Sequence, residues 1–392
     1  SDNMAKTPEN VYALLESIWV PALGIARNEV REMQRIMNVE GVGGKLEPWD
    51  WWYYAEKVRR AKYDLDENDT KPYFELNAVR DGAFMVLNKL FGLRFERLED
   101  APRYNPEVEV YKVTEADGTL TGVLTMDFFP RPTKRGGAWC SSFRDQSYKD
   151  GKRITPVVPV VFNFTRPVGD APALLSLDEA TTLFHELGHA MQSLVSDVKY
   201  PGLGGVARDY VELASQVLEN WATEPEVLKM YAKHYRTGEP IPDDLIAKMQ
   251  QSEHFNVGFT TTEYVAASLL DMDYHTMTEK EEIDINAFEK ADMKKRGLID
   301  EIIPRYRTTY FAHIFDGGYS AGYYSYKWAE LLDADAYAAF KESGDVFNPQ
   351  VAGDFREKVL EPWGGGDEME QYVSFRGKEP DKKYLMERLG KY

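Results

Sequence analysis

One stretch of the sequence, Ser176–Ser196 (SLDEATTLFHELGHAMQSLVS), constrains the fold more than any other. Ser176, followed three residues later by Glu179, is typical of a helix that begins with a capping box. Apolar residues then recur at helical spacing and predict one buried face. These residues are Ala180, Leu183, Phe184, Leu187, Met191 and Leu194. The sequence therefore predicts an amphipathic helix whose other side is available for polar chemistry.

The polar side of this helix carries His185 and His189, four residues apart, so their imidazoles project from successive turns. Glu186 follows the first histidine and can reach a water held on a metal that both histidines bind. HExxH is the arrangement of two zinc ligands and a general base. The alternative is a solvated helix face. Histidine is scarce, with six in 392 residues, and two of the six fall in the motif, which favours the metal interpretation.

A catalytic zinc needs a third protein ligand and one open position. Ala207–Trp221 (ARDYVELASQVLENW) predicts a second helix, on which Glu212, Gln216 and Glu219 share one face. We expect Glu212 to be the third ligand. Ser215, Gln216 and Glu219 are candidates to orient the ligating imidazoles through their second nitrogens. The alternative for each of them is a solvated position on an amphipathic helix.

A tyrosine-rich stretch, residues 311–337, is the second candidate functional region. It contains the following histidine, tyrosines and glycines: His313, Gly317, Gly318, Tyr319, Gly322, Tyr323, Tyr324 and Tyr326. Phenols donate hydrogen bonds without a fixed charge, which suits an oxyanion, and adjacent glycines allow close approach to a bound peptide. The alternative is aromatic packing in a core.

Composition excludes some partners. The net charge of −18 argues against nucleic acid and anionic membranes, because both need a basic surface. No apolar run reaches the length of a membrane span. The one cysteine, Cys140, excludes an internal disulfide, and a catalytic role for its thiol is the weaker interpretation. We expect a cytoplasmic location, or a periplasmic one if a signal peptide has been removed.

The N-terminal region is expected to be helical. Helical spacing predicts one helix over Pro8–Val39, with Pro21 as a kink or break, and a second over Pro48–Asp66. A third helix, Glu75–Phe91, should end at Gly92.

The middle of the chain is expected to form a small sheet. Val108–Val113 and Leu120–Phe128 alternate and predict a hairpin, followed by a loop over Arg131–Lys152. Val157–Phe164 reads as a strand, and Pro159 predicts that it lies at an edge or is irregular. Such an edge could pair with an extended peptide, or it could be an ordinary sheet margin. From Pro225 onwards the sequence predicts helices.

Three stretches together resemble one family of zinc peptidases: HELGHA, RDYVELASQVLENW and HIFDGGYSAGYYSYKWAELLDADAY. They are similar to the thimet oligopeptidase and peptidyl-dipeptidase family, and RGGAWCSSF and VVFNFTRP also resemble its bacterial peptidyl-dipeptidase branch. The resemblance implies a mainly α fold: a zincin-like catalytic domain with a small β-sheet beside the HExxH helix and a deep substrate channel. That domain would span residues 1–392, with a helical lead-in to about residue 70 and a catalytic core over 71–392.

The resemblance also implies roles for individual residues. The implied metal ligands, for one Zn²⁺ per chain, are His185, His189 and Glu212. The implied catalytic residues are Glu186, Tyr319, Tyr326 and His313, with Tyr323, Gly317 and Gly318 in contact with substrate. The sequence departs from the family pattern at Gln192, at Ala214 and in the GLGG loop, none of which is a ligand.

The expected function is zinc-dependent hydrolysis of short, unstructured peptides, either by release of C-terminal dipeptides or by internal cleavage. Dipeptide release needs a cation that binds the free carboxylate, and Arg208 and Lys327 are candidates. Family chains are longer, so the N-terminal half of the usual chain is a further expected partner. The alternatives are a zinc-containing peptide-binding module without activity and a structural zinc site, which would need four ligands.

Overall fold

The computed structural model describes residues 2–279 and 282–390, and the chain divides into two compact units. The first unit consists of Ser1–Asp66, Ala247–Trp328 and Lys382–Tyr392. The second unit consists of Glu67–Ile246 and Ala329–Asp381. A single catalytic domain with a lead-in to about residue 70 stays a prediction.

Helices dominate both units, as the sequence predicts. In chain order they are α1 Pro8–Val39, α2 Trp51–Tyr63, α3 Glu67–Thr70, α4 Leu76–Phe91, α5 Leu177–Val195, α6 Leu213–Thr223, α7 Pro225–Tyr231, α8 Asp243–Gln251, α9 Val257–His275, α10 Ile285–Lys295, α11 Ala312–Phe315, α12 Ser325–Ser343, α13 Pro349–Phe355, α14 Glu368–Arg376 and α15 Lys382–Arg388. The strands are β1 Arg94–Arg97, β2 Glu109–Thr114, β3 Leu120–Asp127, β4 Trp139–Cys140, β5 Ser147–Lys149, β6 Lys152–Ile154 and β7 Val157–Val161.

In the first unit, α1 packs against α2 and α9. The Thr7 side chain accepts the N–H of Asn10 and caps α1, which continues through Pro21 to Val39 without a break. A Cβ on Gly258 would lie 2.5 Å from the backbone nitrogen of Ala26, so only glycine allows α9 to approach α1 this closely. Glu29 accepts the N–H groups of Gly258 and Phe259 and caps the start of α9 from the neighbouring helix.

The second unit contains a five-stranded sheet with the order β1-β2-β3-β7-β4. The predicted hairpin is confirmed, because β2 and β3 pair antiparallel. β3 then pairs parallel with β7, and β4 pairs antiparallel with the other side of β7. A separate hairpin joins β5 and β6.

The prediction that Pro159 places its strand at the sheet edge is wrong, because β7 lies between β3 and β4. The Val157 N–H donates to Arg144 O, on the side of β7 that β4 occupies. Alternation along a strand points the nitrogen of Pro159 to the same side. On that side β4 pairs only with Val160 and Val161, so the N–H that Pro159 lacks is not needed for the pairing with β4. The pairing of β7 with β3 lies on the opposite side and is not interrupted.

Residues 131–152, expected to be a loop, contain β4 and β5, so that prediction is also incomplete. A buried carboxylate fixes the chain ahead of β4. Asp127 accepts two hydrogen bonds from Arg131 at 2.9 and 2.7 Å, one from Lys134 Nζ at 3.0 Å and one from the Tyr104 hydroxyl at 2.9 Å. Lys134 Nζ also donates to Phe129 O. A sequence rich in glycine and charge is therefore held in one conformation.

α5 lies against β3, β4 and β7 on one side and against α6 on another, so the predicted small sheet beside the HExxH helix is confirmed. Its capping box is confirmed as well, because Ser176 and Glu179 exchange hydrogen bonds at 3.0 and 2.9 Å. A Cβ on Gly188 would lie 2.5 Å from Ala214 O, so this glycine sets how closely the two helices approach.

α6 begins at Leu213, six residues later than predicted. The preceding residues form turns instead, with Tyr210 N–H donating to Ala207 O and Leu213 N–H donating to Tyr210 O. Within residues 2–279 and 282–390, no helix is both long and apolar enough to span a membrane.

Candidate metal centre

Three donor atoms of the second unit converge as the sequence predicts. His185 and His189 project from α5, and Glu212 is the residue that immediately precedes α6. Glu212 Oε2 lies 3.3 Å from His185 Nε2 and 3.1 Å from His189 Nε2. All three atoms lie within 4.8 Å of one another, so one ion could contact all of them. Two imidazoles and one carboxylate are a donor set that suits zinc with one coordination position open.

The protonation of these groups follows from their contacts. Burial alone would raise the pKa of Glu212, but hydrogen bonds with His185 and His189 hold it well below its ordinary value. Burial would lower the pKa of His185, yet its contacts with Glu212 and Glu219 raise it well above the ordinary value. Glu212 and His185 therefore favour a carboxylate beside a positively charged imidazole, and a divalent cation would supply that charge in place of the proton on His185.

Two side chains hold the donor set in orientation. His185 Nδ1 lies 2.5 Å from Glu219 Oε1, so the nitrogen that faces away from Glu212 has a carboxylate partner. Ser215 Oγ lies 2.9 Å from both Glu212 Oε2 and Glu212 O. Sequence alone does not choose among Ser215, Gln216 and Glu219 as partners of the imidazoles. The structure brings Glu219 to the second nitrogen of His185, whereas Ser215 donates to the Glu212 carboxylate instead of to an imidazole. For Gln216 the role stays a prediction.

Glu186 has the environment that a general base needs. Its side chain is 5% exposed, and Oε2 has no hydrogen-bond partner among residues 2–279 and 282–390. Burial raises the pKa of this carboxyl, although the nearby histidines oppose the shift. A buried carboxylate oxygen without a hydrogen-bond partner destabilises the folded state. A water bound to an ion at the neighbouring donor cluster would supply that hydrogen bond. The residues present thus fit a bound metal ion.

Cys140 lies on β4, next to the metal helix. Burial raises the pKa of its thiol, and the negative charge of Glu186 raises it further. The thiol therefore stays protonated at neutral pH, which disfavours its interpretation as a nucleophile.

The predicted tyrosine cluster forms within the first unit. Tyr319 and Tyr326 stack with ring centroids 5.5 Å apart, and the Tyr326 hydroxyl donates to the Tyr319 hydroxyl at 3.2 Å. The His313 ring lies 5.9 Å from Tyr319 and 5.4 Å from Tyr323. The structure therefore brings together the histidine and the three tyrosines to which the sequence assigns roles.

The three members of the predicted substrate-binding set differ in exposure. Tyr323 is 3% exposed and packs against Phe311 and Ile314, so its ring is part of a core. Gly317 and Gly318 are exposed, and Gly318 has a φ of +79°, a conformation that glycine adopts without strain. Substrate contact at these three positions stays a prediction.

Three residues of this region were missed by sequence reasoning. Arg305 pairs with Glu263 at 3.2 Å, and burial together with this arginine lowers the pKa of His313. Asp271 accepts the backbone N–H groups of Ala321 and Tyr323. Because all three precede the tyrosines by many residues and lie in no motif, no spacing rule links them to the cluster.

Known proteins resemble this chain along its whole length. It is 40% identical over 395 residues to the dipeptidyl carboxypeptidase of Escherichia coli K12, covering 100% of this chain and 58% of that protein. It is 33% identical over 396 residues to oligopeptidase A of the same organism, covering 99% of this chain and 58% of that one. The chain therefore spans somewhat more than half the length of these relatives.

Among solved structures, a carboxypeptidase from Pyrococcus furiosus aligns with 99% of this chain and 80% of its own. Its TM-score of 0.49 and identity of 15% add no further argument. The sequence model described as peptidase family M3 matches residues 1–391. The resemblance found in the three motifs is thus confirmed over almost the entire sequence, and the chain belongs to peptidase family M3.

Proposed function

We propose that this chain is a zinc-dependent hydrolase of short peptides. One observation carries the proposal: three metal-binding donors converge within 4.8 Å, beside a buried glutamate whose Oε2 lacks a hydrogen-bond partner in the described part of the chain. Two imidazoles and a carboxylate leave a coordination position open, which separates a catalytic zinc site from a structural one. One zinc ion per chain is part of the proposal.

The chain's own residues would divide the reaction as follows. Zinc bound by His185, His189 and Glu212 would supply Lewis acidity and lower the pKa of a bound water. Glu186 accepts the proton of the attacking water and donates it to the leaving amine. Its position in a dry environment favours both transfers, because burial brings the pKa of the carboxyl up towards the working pH.

The tyrosine cluster is assigned to the transition state by family resemblance. Tyr319 and Tyr326 carry neutral hydroxyls that can donate to an oxyanion. Their stacked rings and the hydrogen bond between the hydroxyls hold the two groups in a fixed relation. Burial and Arg305 lower the pKa of His313, so its imidazole is neutral at pH 7 and can also donate a hydrogen bond.

Release of C-terminal dipeptides is the reaction that we propose among the two open alternatives. It is supported by the 40% identity to a dipeptidyl carboxypeptidase, although that protein is longer. Two cations remain candidates to bind the terminal carboxylate: Arg208 is exposed, and Lys327 Nζ lies 5.9 Å from the Tyr264 ring. The remaining length of the relatives as a partner, and a cytoplasmic location, stay predictions.

The direct test uses a nonapeptide with a blocked N-terminus and a free C-terminal carboxylate, and measures its hydrolysis by purified protein before chelation, after chelation and after addition of one equivalent of zinc. We expect activity to be lost and then restored. Titration of binding with the same peptide distinguishes the alternative of a silent module, which would bind saturably and cleave nothing at any zinc concentration. Such a result would contradict the proposed function.

A further inference from the structure

Asp271 lies on α9 of the first unit and is fully buried, with 0% of its surface exposed. Its Oδ1 accepts the backbone N–H of Ala321 at 2.9 Å, and its Oδ2 accepts that of Tyr323 at 2.9 Å. His275, one turn further along α9, places Nδ1 2.8 Å from Oδ1 of the same carboxylate. A single buried side chain thus binds two points of the segment that separates α11 from α12.

That segment, residues 316–324, has no regular helix or strand of its own. Ala321 has a φ of +52°, a left-handed conformation that is strained for a residue with a Cβ. Residues in such conformations persist where their surroundings hold them, and here the carboxylate binds the N–H of the strained residue itself. Tyr319 precedes this point by two residues, and Tyr326 follows it by five.

We propose that Asp271 is the positioning residue that fixes the Tyr319–Tyr326 segment in the geometry its hydroxyls need for catalysis. The inference rests on the proposed function of the two tyrosines. Asp271 contacts neither hydroxyl; it acts through the backbone, by holding the turn between the two side chains. The two oxygens of this one carboxylate each accept one backbone N–H, that of Ala321 and that of Tyr323.

Asp271→Asn tests the pairing with a minimal change of shape. An amide retains one acceptor but places N–H donors against one of the two backbone N–H groups, so one hydrogen bond is lost. Because misplacement of a catalytic group by about 1 Å costs up to about a hundredfold in rate, we expect kcat to fall roughly tenfold to a hundredfold. We expect KM to change by less than about twofold, since the tyrosines would act in the transition state.

Amide hydrogen exchange measures how firmly residues 316–324 are held, independently of catalytic activity. In the wild-type protein, peptides that cover residues 316–324 should exchange slowly, although they lie outside helices and strands. Asp271→Asn should lose this protection while peptides from α9 keep theirs. Asp273→Asn is the matched control, because Asp273 lies on the same helix and accepts from the Tyr12 hydroxyl and Arg296 instead. It should lower the melting temperature and leave both kcat and exchange of the segment unchanged.

The possible outcomes distinguish the positioning role of Asp271 from the catalytic role of the tyrosines. Fast exchange of residues 316–324 in the wild-type protein overturns the positioning role even if the variant fails to fold. Lost protection with unchanged kcat in Asp271→Asn overturns its importance for catalysis. If Tyr319→Phe and Tyr326→Phe both retain the wild-type kcat, the assigned role of the tyrosines fails, whereas the exchange result still decides whether Asp271 holds the segment. Lost protection together with a lower kcat supports the proposal.

Discussion

Glu219 Oε1 lies 2.5 Å from His185 Nδ1, while Nε2 of the same ring lies 3.3 Å from Glu212 Oε2. One imidazole therefore connects a carboxylate of α6 to the proposed metal position. A carboxylate on the outer nitrogen fixes the tautomer, holds the ring plane and increases the basicity of the inner nitrogen. Glu219 is thus expected to control how tightly the site binds zinc, although it is not one of the three proposed ligands.

Glu219→Gln should lower zinc affinity about tenfold to a hundredfold, because the neutral amide orients the ring less firmly and withdraws its negative charge. Competition with a chromophoric chelator measures the change. Glu226→Gln, an exposed position on the next helix, should bind zinc as the wild-type protein does. Equal affinities in the two variants would remove Glu219 from the metal site.

Glu186→Gln should retain zinc and lose turnover. The amide cannot accept the proton of the attacking water, and general base catalysis contributes about 10²- to 10⁴-fold in rate. Steady-state hydrolysis, with metal content measured on the same sample, tests both parts. Asp178→Asn, exposed in the first turn of the same helix, serves as the control and should keep full activity.

The metal site could be predicted from the sequence because its ligands lie in short motifs whose residues are close together in the sequence. HExxH fixes two ligands by helical period, and the capping box at Ser176 shows where that helix begins. Glu212 directly precedes the next helix, α6, which packs against α5, so the pairing of the two helices limits where this carboxylate can lie. The predicted helix start at Ala207 is six residues too early. Helix propensity does not reveal that residues 207–213 form turns, closed by hydrogen bonds between residues three apart.

The parts that escaped prediction depend on distant residues. Asp271 meets Ala321 across 50 positions, and Arg356 meets Glu115 across 241. The place of β7 within the sheet likewise depends on a two-residue strand, β4, that has no alternating pattern of its own. A proline in a strand predicts a sheet edge because it cannot donate a hydrogen bond to a neighbouring strand. The prediction fails for β7 because the neighbouring strand on that side, β4, is too short to reach Pro159. These features are set by tertiary contacts and not by periodicity.

The buried carboxylate of Asp127 should make stability sensitive to acid. Burial would raise the pKa of Asp127, but hydrogen bonds from Arg131, Lys134 and Tyr104 hold it below its ordinary value. A carboxyl with a lowered folded pKa contributes stability above its unfolded pKa of about 3.9, and this contribution is lost as pH falls through the folded value. Asp127→Asn should therefore reduce the stability at pH 7 and flatten its decrease below about pH 4.

The size of the Asp127→Asn effect at pH 7 should be about 3 to 5 kcal/mol, because Lys134, with a side chain only 3% exposed, would lose its buried partner. Urea unfolding at several pH values measures both effects. Glu107→Gln removes an exposed ion pair with Arg166 and should cost less than about 1 kcal/mol. Parallel pH curves for Asp127→Asn and the wild-type protein would show that this carboxylate does not cause the acid sensitivity.

Gly188→Ala should disturb the metal site without altering any ligand. Its Cβ would lie 2.5 Å from Ala214 O and 2.6 Å from the Cα of Ser215, and both atoms belong to backbone that cannot move without shifting α6. Because Glu212 immediately precedes α6, the separation of the helices should pull its carboxylate away from His185 and His189. We expect zinc affinity to fall by more than tenfold, on the order of the effect of losing an orienting group.

Gly353→Ala is the matched control for this substitution. Gly353 lies within α13 of the same unit, and a Cβ there meets no atom within 4 Å. Alanine in a helix is favoured over glycine by about 0.5 to 1 kcal/mol, so this variant should be slightly more stable and bind zinc normally. Thermal unfolding and zinc titration of both variants separate overpacking between α5 and α6 from the general effect of replacing a helical glycine. Normal zinc affinity in Gly188→Ala would mean that the helix spacing does not set the ligand geometry.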